Sequence, residues 1–214
     1  MNSKELKEVV RSERIVPILR TDSAKELEGV CAAVRDSGIK IIEFTMTIPG
    51  VIDELPRLKS KFPELVFGLG TVFSEQDAAA AIENGADFIV SPIAALNLVE
   101  PVKSRDKLLM LAAFTPTEIY TIHKAGSDVI KLFPASALTP SYIKAIKGPM
   151  PFVDIMPTGG IDLILGMQYL AGGAIAVGMG ETVFNKEQIK RGNFEKIIAA
   201  LKNARERLRG IVRK

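Results

Sequence analysis

The stretch Asp128-Val129-Ile130-Lys131-Leu132-Phe133-Pro134 is β-branched at its start, apolar around a single lysine, and closed by a proline. It reads as a short buried strand that ends at Pro134. Seven further runs have the same character: Ile15–Leu19, Lys40–Phe44, Val66–Gly70, Asp87–Val90, Leu108–Ala113, Val153–Met156 and Ala174–Val177. Segments of helical spacing lie between them, among them Ala24–Asp36, Glu75–Asn84 and Leu163–Ala171. Near-continuous apolar strands alternating with helices indicate a parallel sheet covered by helices. Eight such units predict a (β/α)8 TIM barrel over residues 1–214 as one domain, with an open doubly wound sheet as the alternative. An extra N-terminal helix, Ser3–Arg11, precedes the first strand, and Phe194–Arg209 closes the chain.

Local signals support the helix limits. Ser23 to Glu26 and Thr115 to Glu118 have capping-box spacing, and Pro116 and Pro140 suit a first helical position. Ser37-Gly38, Asn84-Gly85, Ala125-Gly126 and Gly172-Gly173 read as helix stops just before strands.

Composition narrows the function. The 214 residues are 47% hydrophobic, enough for one well-buried core, and the formal net charge is only +3. Neither a membrane nor a nucleic-acid partner is expected: no apolar run approaches the ~18 residues of a membrane span. The ten Lys/Arg against three Asp/Glu from Lys186 onward read as a solvated terminal helix. The charged start, Met1 to Arg14, is unlike a signal peptide, and the sole cysteine, Cys31, forbids an internal disulfide. Both point to the cytoplasm. With one histidine and one cysteine, no His- or Cys-rich zinc site is expected. His123 reads as a surface residue of a helix, which discounts a Ser-His-Asp triad.

Lys131 carries the chemistry. A buried ammonium is costly, its neutral form is a nucleophile, and buried lysines form Schiff bases with carbonyl substrates. The alternative is a lysine that snorkels from the strand end to water. Active sites of (β/α)8 barrels lie at the C-terminal ends of the strands, which here read Arg20, Glu43, Thr71, Pro92, Lys131, Thr158-Gly159-Gly160 and Gly178-Met179-Gly180. Arg20, Glu43 and Lys131 are charged residues on strands that should be filled by apolar ones. The two glycine clusters at strands seven and eight could hold an anion through backbone N–H groups, or could serve tight turns.

These residues resemble a known family, the class I (Schiff-base) aldolases for 2-keto-3-deoxy-6-phosphogluconate and 4-hydroxy-2-oxoglutarate. The marks are Ile42-Glu43-Phe44-Thr45, Gly68-Leu69-Gly70-Thr71-Val72, Ile89-Val90-Ser91-Pro92, Thr115-Pro116-Thr117-Glu118, Lys131-Leu132-Phe133-Pro134, Lys147-Gly148-Pro149 and Pro157-Thr158-Gly159-Gly160, over nearly the whole chain. The resemblance implies a homotrimer of barrels without metal or cofactor. It makes Lys131 the Schiff-base lysine and Glu43 the general acid/base. Arg20, Thr71, Pro92 and Phe133 would line the substrate site, and Thr158, Gly159, Gly160 and Gly180 its carboxylate and phosphate region. The expected reaction cleaves 2-keto-3-deoxy-6-phosphogluconate to pyruvate and glyceraldehyde 3-phosphate, with 4-hydroxy-2-oxoglutarate, giving pyruvate and glyoxylate, as a further substrate.

Three positions depart from the family pattern. Glu181 stands where serine often follows the last glycines, Thr47 where some members carry arginine, and Leu111-Ala112-Ala113-Phe114 where many have a proline-glycine pair. Glu181 favours an alternative, a pyruvate aldolase for an unphosphorylated 2-keto-4-hydroxy acid. Two further readings are a phosphate-binding barrel isomerase or synthase, in which Lys131 is only a charge, and a noncatalytic scaffold.

Overall fold

A computed structural model describes residues 1–211. Eight strands form one parallel sheet: β1 Ile15–Leu19, β2 Ile41–Thr45, β3 Val66–Gly70, β4 Phe88–Val90, β5 Leu108–Ala113, β6 Val129–Leu132, β7 Ile155–Pro157 and β8 Val177–Met179. Their spatial order runs β7-β6-β5-β4-β3-β2-β1-β8, and every ladder is parallel. A doubly wound sheet would reverse its order at a switch point. Here the order follows the chain, and the ends nearly meet. The Ile175 N–H donates to Ile155 O at 3.0 Å, and Thr158 forms a parallel bridge with Gly178. The fold is a (β/α)8 barrel.

The helices are α1 Ser3–Glu13, α2 Leu27–Asp36, α3 Val51–Lys61, α4 Glu75–Glu83, α5 Val99–Lys103, α6 Pro116–Ala125, α7 Ser141–Lys147, α8 Leu163–Ala171, α9 Lys186–Lys190 and α10 Phe194–Arg209. The expected N-terminal helix is α1. An Asn2–Glu5 capping box starts it, and it buries Leu6 and Val10. The Ser3 N–H donates to Asp106 Oδ1 at 3.4 Å, and Arg11 Nη2 donates to Asp154 Oδ2 at 2.8 Å. Asp106 lies two residues before β5 and Asp154 directly before β7, so α1 covers the N-terminal end of the barrel and leaves the C-terminal mouth open.

Several limits are corrected. The eighth strand was expected at Ala174–Val177 but runs Val177–Met179. Ala174, Ile175 and Ala176 are buried without belonging to a ladder, because an apolar run records burial and not pairing. The seventh shifts from Val153–Met156 to Ile155–Pro157, the sixth ends at Leu132 instead of Pro134, and the fourth begins at Phe88 instead of Asp87. The second spans Ile41–Thr45 instead of Lys40–Phe44, which puts Glu43 at mid-strand.

The Ser23 capping box does not form. Its hydroxyl accepts from the Lys25 N–H over a short 3₁₀ turn, Ala24–Glu26, while the Glu26 carboxylate takes the Thr21 hydroxyl. The Thr115–Glu118 box is complete, with Pro116 at the helix start. Pro140 caps α7 from outside instead of occupying its first turn. Gly38, Gly85, Gly126 and Gly173 all have positive φ, as left-handed helix stops require. His123 lies on α6 with its ring 5.1 Å from that of Phe152. Arg213 and Lys214, at the end of the basic run, lie outside the described residues. Among those described, no helix is long and apolar enough to cross a membrane.

Candidate active site

Lys131 and Glu43 come from β6 and β2, with three strands between them in the sheet. Their side chains can meet only across the barrel interior. Lys131 Nζ lies 3.7 Å from Glu43 Oε1, an ion-pair separation longer than a hydrogen bond. Both are buried, Glu43 completely, and Lys131 is the only buried lysine among the described residues. The snorkelling alternative is therefore overturned. The Lys131 ammonium nitrogen also sits 5.5 Å from the centre of the Phe133 ring.

Burial pushes the Glu43 carboxyl above the ordinary carboxylate range, and the nearby Lys131 and Arg20 charges only partly oppose this. Neither Glu43 oxygen has a hydrogen-bond partner in the protein, and the buried Thr158 Oγ1 lacks one too. Unpartnered buried polar atoms cost stability, so their convergence on one region marks a site with chemistry to perform. A carboxyl that keeps its proton unusually well, beside a lysine, can both accept and return a proton during a reaction.

The glycines of β3 make room for Glu43 and for Phe88. A Cβ on Gly70 would lie 1.9 Å from Glu43 Oε1, and one on Gly68 would lie 2.0 Å from the Phe88 ring. Reading the sequence missed both as site residues. The available signal was glycine at alternate positions of a strand, which marks the close approach of another group. Thr71, directly after Gly70, has φ 63°, a strained conformation for a β-branched residue. Such strain concentrates at ligand-contacting positions.

A cavity of about 540 Å³ opens beside this pair. Arg20, Thr158, Gly159, Gly160 and Gly180 form its walls, together with Asp162, Glu181 and Thr182, and Arg20 is exposed. Lys131 and Glu43 are not in those walls, nor are Thr71, Pro92 and Phe133. The structure thus places Lys131 and Glu43 in one group and Arg20, Thr158, Gly159, Gly160 and Gly180 in another. Phe133 and Thr158 link them. The Thr158 N–H donates to Leu132 O at 2.9 Å, and a Cβ on Gly159 would lie 3.0 Å from the Phe133 ring. Pro92 is half-buried after β4. Thr47, on the loop after β2, is tied to Thr45 by a 2.7 Å hydroxyl–hydroxyl hydrogen bond. Asp162, Thr182 and the Gly68–Gly70 spacing are the site features that sequence reasoning did not find.

A barrel that buries one lysine against one carboxyl, next to a cavity at its C-terminal mouth, defines a Schiff-base lyase. The chain belongs to the KDPG and KHG aldolase family, whose profile matches residues 6–200. The 2-dehydro-3-deoxy-phosphogluconate aldolase of Pseudomonas aeruginosa is 28% identical over 198 residues, covering 92% of this chain and 90% of the relative. The structure of the KDPG aldolase from Legionella pneumophila, with pyruvate captured as a covalent carbinolamine intermediate, is similar with a TM-score of 0.82 at 26% identity. That match covers 92% of this chain and 96% of the other. A designed protein cage built by fusing symmetric oligomeric domains matches with a TM-score of 0.80 at 25% identity, over 91% of this chain and 73% of that one. The protein is an enzyme, a pyruvate-dependent aldolase, and the isomerase, synthase and scaffold readings are set aside.

Proposed function

We propose that this chain cleaves 2-keto-4-hydroxy acids to pyruvate and an aldehyde through an imine on Lys131. The observation that carries the reading is the buried Lys131–Glu43 pair. Lys131 Nζ adds to the C2 carbonyl, and loss of water leaves an iminium ion. Glu43 takes the proton of the C4 hydroxyl as the C3–C4 bond breaks, the bonding electrons pass into the iminium, and the aldehyde departs. The resulting enamine is protonated at C3, and hydrolysis of the imine frees pyruvate and the lysine. The covalent step divides one difficult reaction into easier ones.

Arg20 suits the C1 carboxylate, which its guanidinium can hold with two parallel hydrogen bonds. Thr71, Pro92 and Phe133 border the keto acid, while Thr158, Gly159, Gly160 and Gly180 hold the rest of the substrate. The family's two named substrates are 2-keto-3-deoxy-6-phosphogluconate, which would give glyceraldehyde 3-phosphate, and 4-hydroxy-2-oxoglutarate, which would give glyoxylate. Both carry the 2-keto-4-hydroxy unit on which the pair acts, and no cofactor enters this route. Incubation of the protein with either compound is expected to release pyruvate in step with the aldehyde. In the same assay, Arg20→Gln raises KM far more than it lowers kcat. Failure to cleave any 2-keto-4-hydroxy acid overturns the reading.

We also infer a homotrimer acting in the cytoplasm. The family resemblance supports the trimer. So does an exposed apolar group, Phe73, Ile93 and Leu96, whose loops are tied by Asn97 Nδ2 donating to Phe73 O at 3.1 Å. Light scattering at micromolar concentration should return three times the chain mass, and a monomeric mass counts against the assembly. The buried lone cysteine supports the compartment, and fractionation of the native host tests it, with recovery outside the cytoplasm as the contrary result.

A further inference from the structure

The turn that follows the lysine strand is held from outside the barrel by one side chain. Ala135–Ala137 form a short 3₁₀ turn directly after Phe133 and Pro134. Ser136 and Ala137 are exposed, and hydrogen bonds of 3₁₀ geometry are weak by themselves. Tyr169 of α8 packs against this turn and is completely buried. Its hydroxyl lies 2.8 Å from Ala135 O and 3.0 Å from Leu138 O. Both are carbonyl acceptors, so the hydroxyl is the donor and shares its one proton between them. Helical side chains lean toward the N-terminus of their helix. That lean carries the hydroxyl toward the barrel mouth, although Tyr169 sits in the last turn of α8.

The other side of the same turn grips the cavity wall. The Ala135 N–H donates to Thr158 O at 2.8 Å, and the Ser136 N–H donates to Gly159 O at 3.0 Å. Turn and wall are also in close contact. A Cβ on Gly160 would lie 2.7 Å from Ser136 Cβ, and Gly159 meets the Phe133 ring as described above. Protein interiors packed this closely transmit a displacement instead of absorbing it. A shift of the turn therefore moves Gly159, Gly160 and Thr158, whose buried hydroxyl oxygen is unpartnered. Lys131 is insulated from such a shift. It stands inside β6, in register with Ala112 of β5 and Met156 of β7.

We infer that Tyr169 is a positioning residue for the reaction: acting through the turn at 135–138, its hydroxyl sets where the wall at 158–160 meets the substrate. This rests on the Schiff-base reading and adds to it a residue remote from the reacting atoms. The test is Tyr169→Phe, which removes one oxygen and leaves the ring packing in place. Cleavage of 2-keto-3-deoxy-6-phosphogluconate is measured well below the melting temperatures of both proteins. The variant should raise KM by about tenfold, well beyond any fall in kcat, because the wall holds the part of the substrate away from the breaking bond. Borohydride trapping with pyruvate should reach the native extent. Hydrogen–deuterium exchange of the peptide spanning the turn should quicken. A KM that stays native, or rises no more than kcat falls, overturns the inference even if the melting temperature drops. Unchanged exchange at the turn, or trapping lost in the variant alone, does the same. In the native enzyme the Ala135 and Ser136 amides should be strongly protected, and free exchange there overturns the inference without any variant. Native trapping separates the two levels. A native adduct with an unmoved KM in the variant removes only this inference. No native adduct, or no cleavage by the native enzyme, removes the Schiff-base reading and the inference with it.

Discussion

Lys131→Arg abolishes pyruvate release, and borohydride reduction of the native enzyme with pyruvate leaves a stable adduct on the peptide containing Lys131. An arginine stays protonated at any workable pH and cannot form the imine, although it keeps positive charge in the barrel. That makes it a sharper test than alanine, since a lysine serving only as a charge would tolerate the change in part. Selectivity among lysines follows from placement. The others described lie outside the buried set, several of them in ion pairs such as Lys59–Asp87 and Lys103–Asp128. Peptide mass mapping decides the matter, and an adduct on another lysine, or none, removes Lys131 from its role. Thermal melting of the arginine variant guards against a trivial loss through unfolding.

Glu43→Gln is expected to slow cleavage by ~10²–10⁴-fold while leaving imine trapping largely intact. The amide preserves shape, and only proton transfer is lost. Because burial raises the Glu43 carboxyl above its ordinary value, the native rate profile should lose activity on its acid side at a pH higher than a free carboxylate would give, and that limb should vanish in the variant. Stability supplies an independent readout. Below the unfolded value of about 4.5, both folded and unfolded chains hold the proton. As pH rises from there, the unfolded chain ionises first and the folded one resists, so native stability declines until the folded carboxyl also titrates. The glutamine variant lacks that decline, and its melting temperature should gain on the native one with rising pH. A variant that cleaves at the native rate shows Glu43 to be structural, and a melting difference independent of pH shows that burial does not raise its carboxyl.

The amino-acid sequence by itself determined the eight-fold alternation of strand and helix, the helix stops at Gly38, Gly85, Gly126 and Gly173, and the Thr115 capping box. Each of these depends on neighbours only a few residues away: apolar runs, β-branching, caps and glycine conformations act over one turn or one strand. It also singled out Lys131 and Glu43, because a charged residue in an apolar run stands out without any knowledge of its partner. Only the tertiary structure decided that these two meet 3.7 Å apart across the barrel. It alone showed that Gly68 and Gly70 are small because Phe88 and Glu43 fill their space, and that Thr71 is bent into a left-handed conformation. The bounds of β8 and the Asp162 carboxylate at the cavity wall were hidden for the same reason. Strand register and barrel closure set those positions, linking residues on strands far apart in the chain, and no local pattern in the sequence encodes that closure.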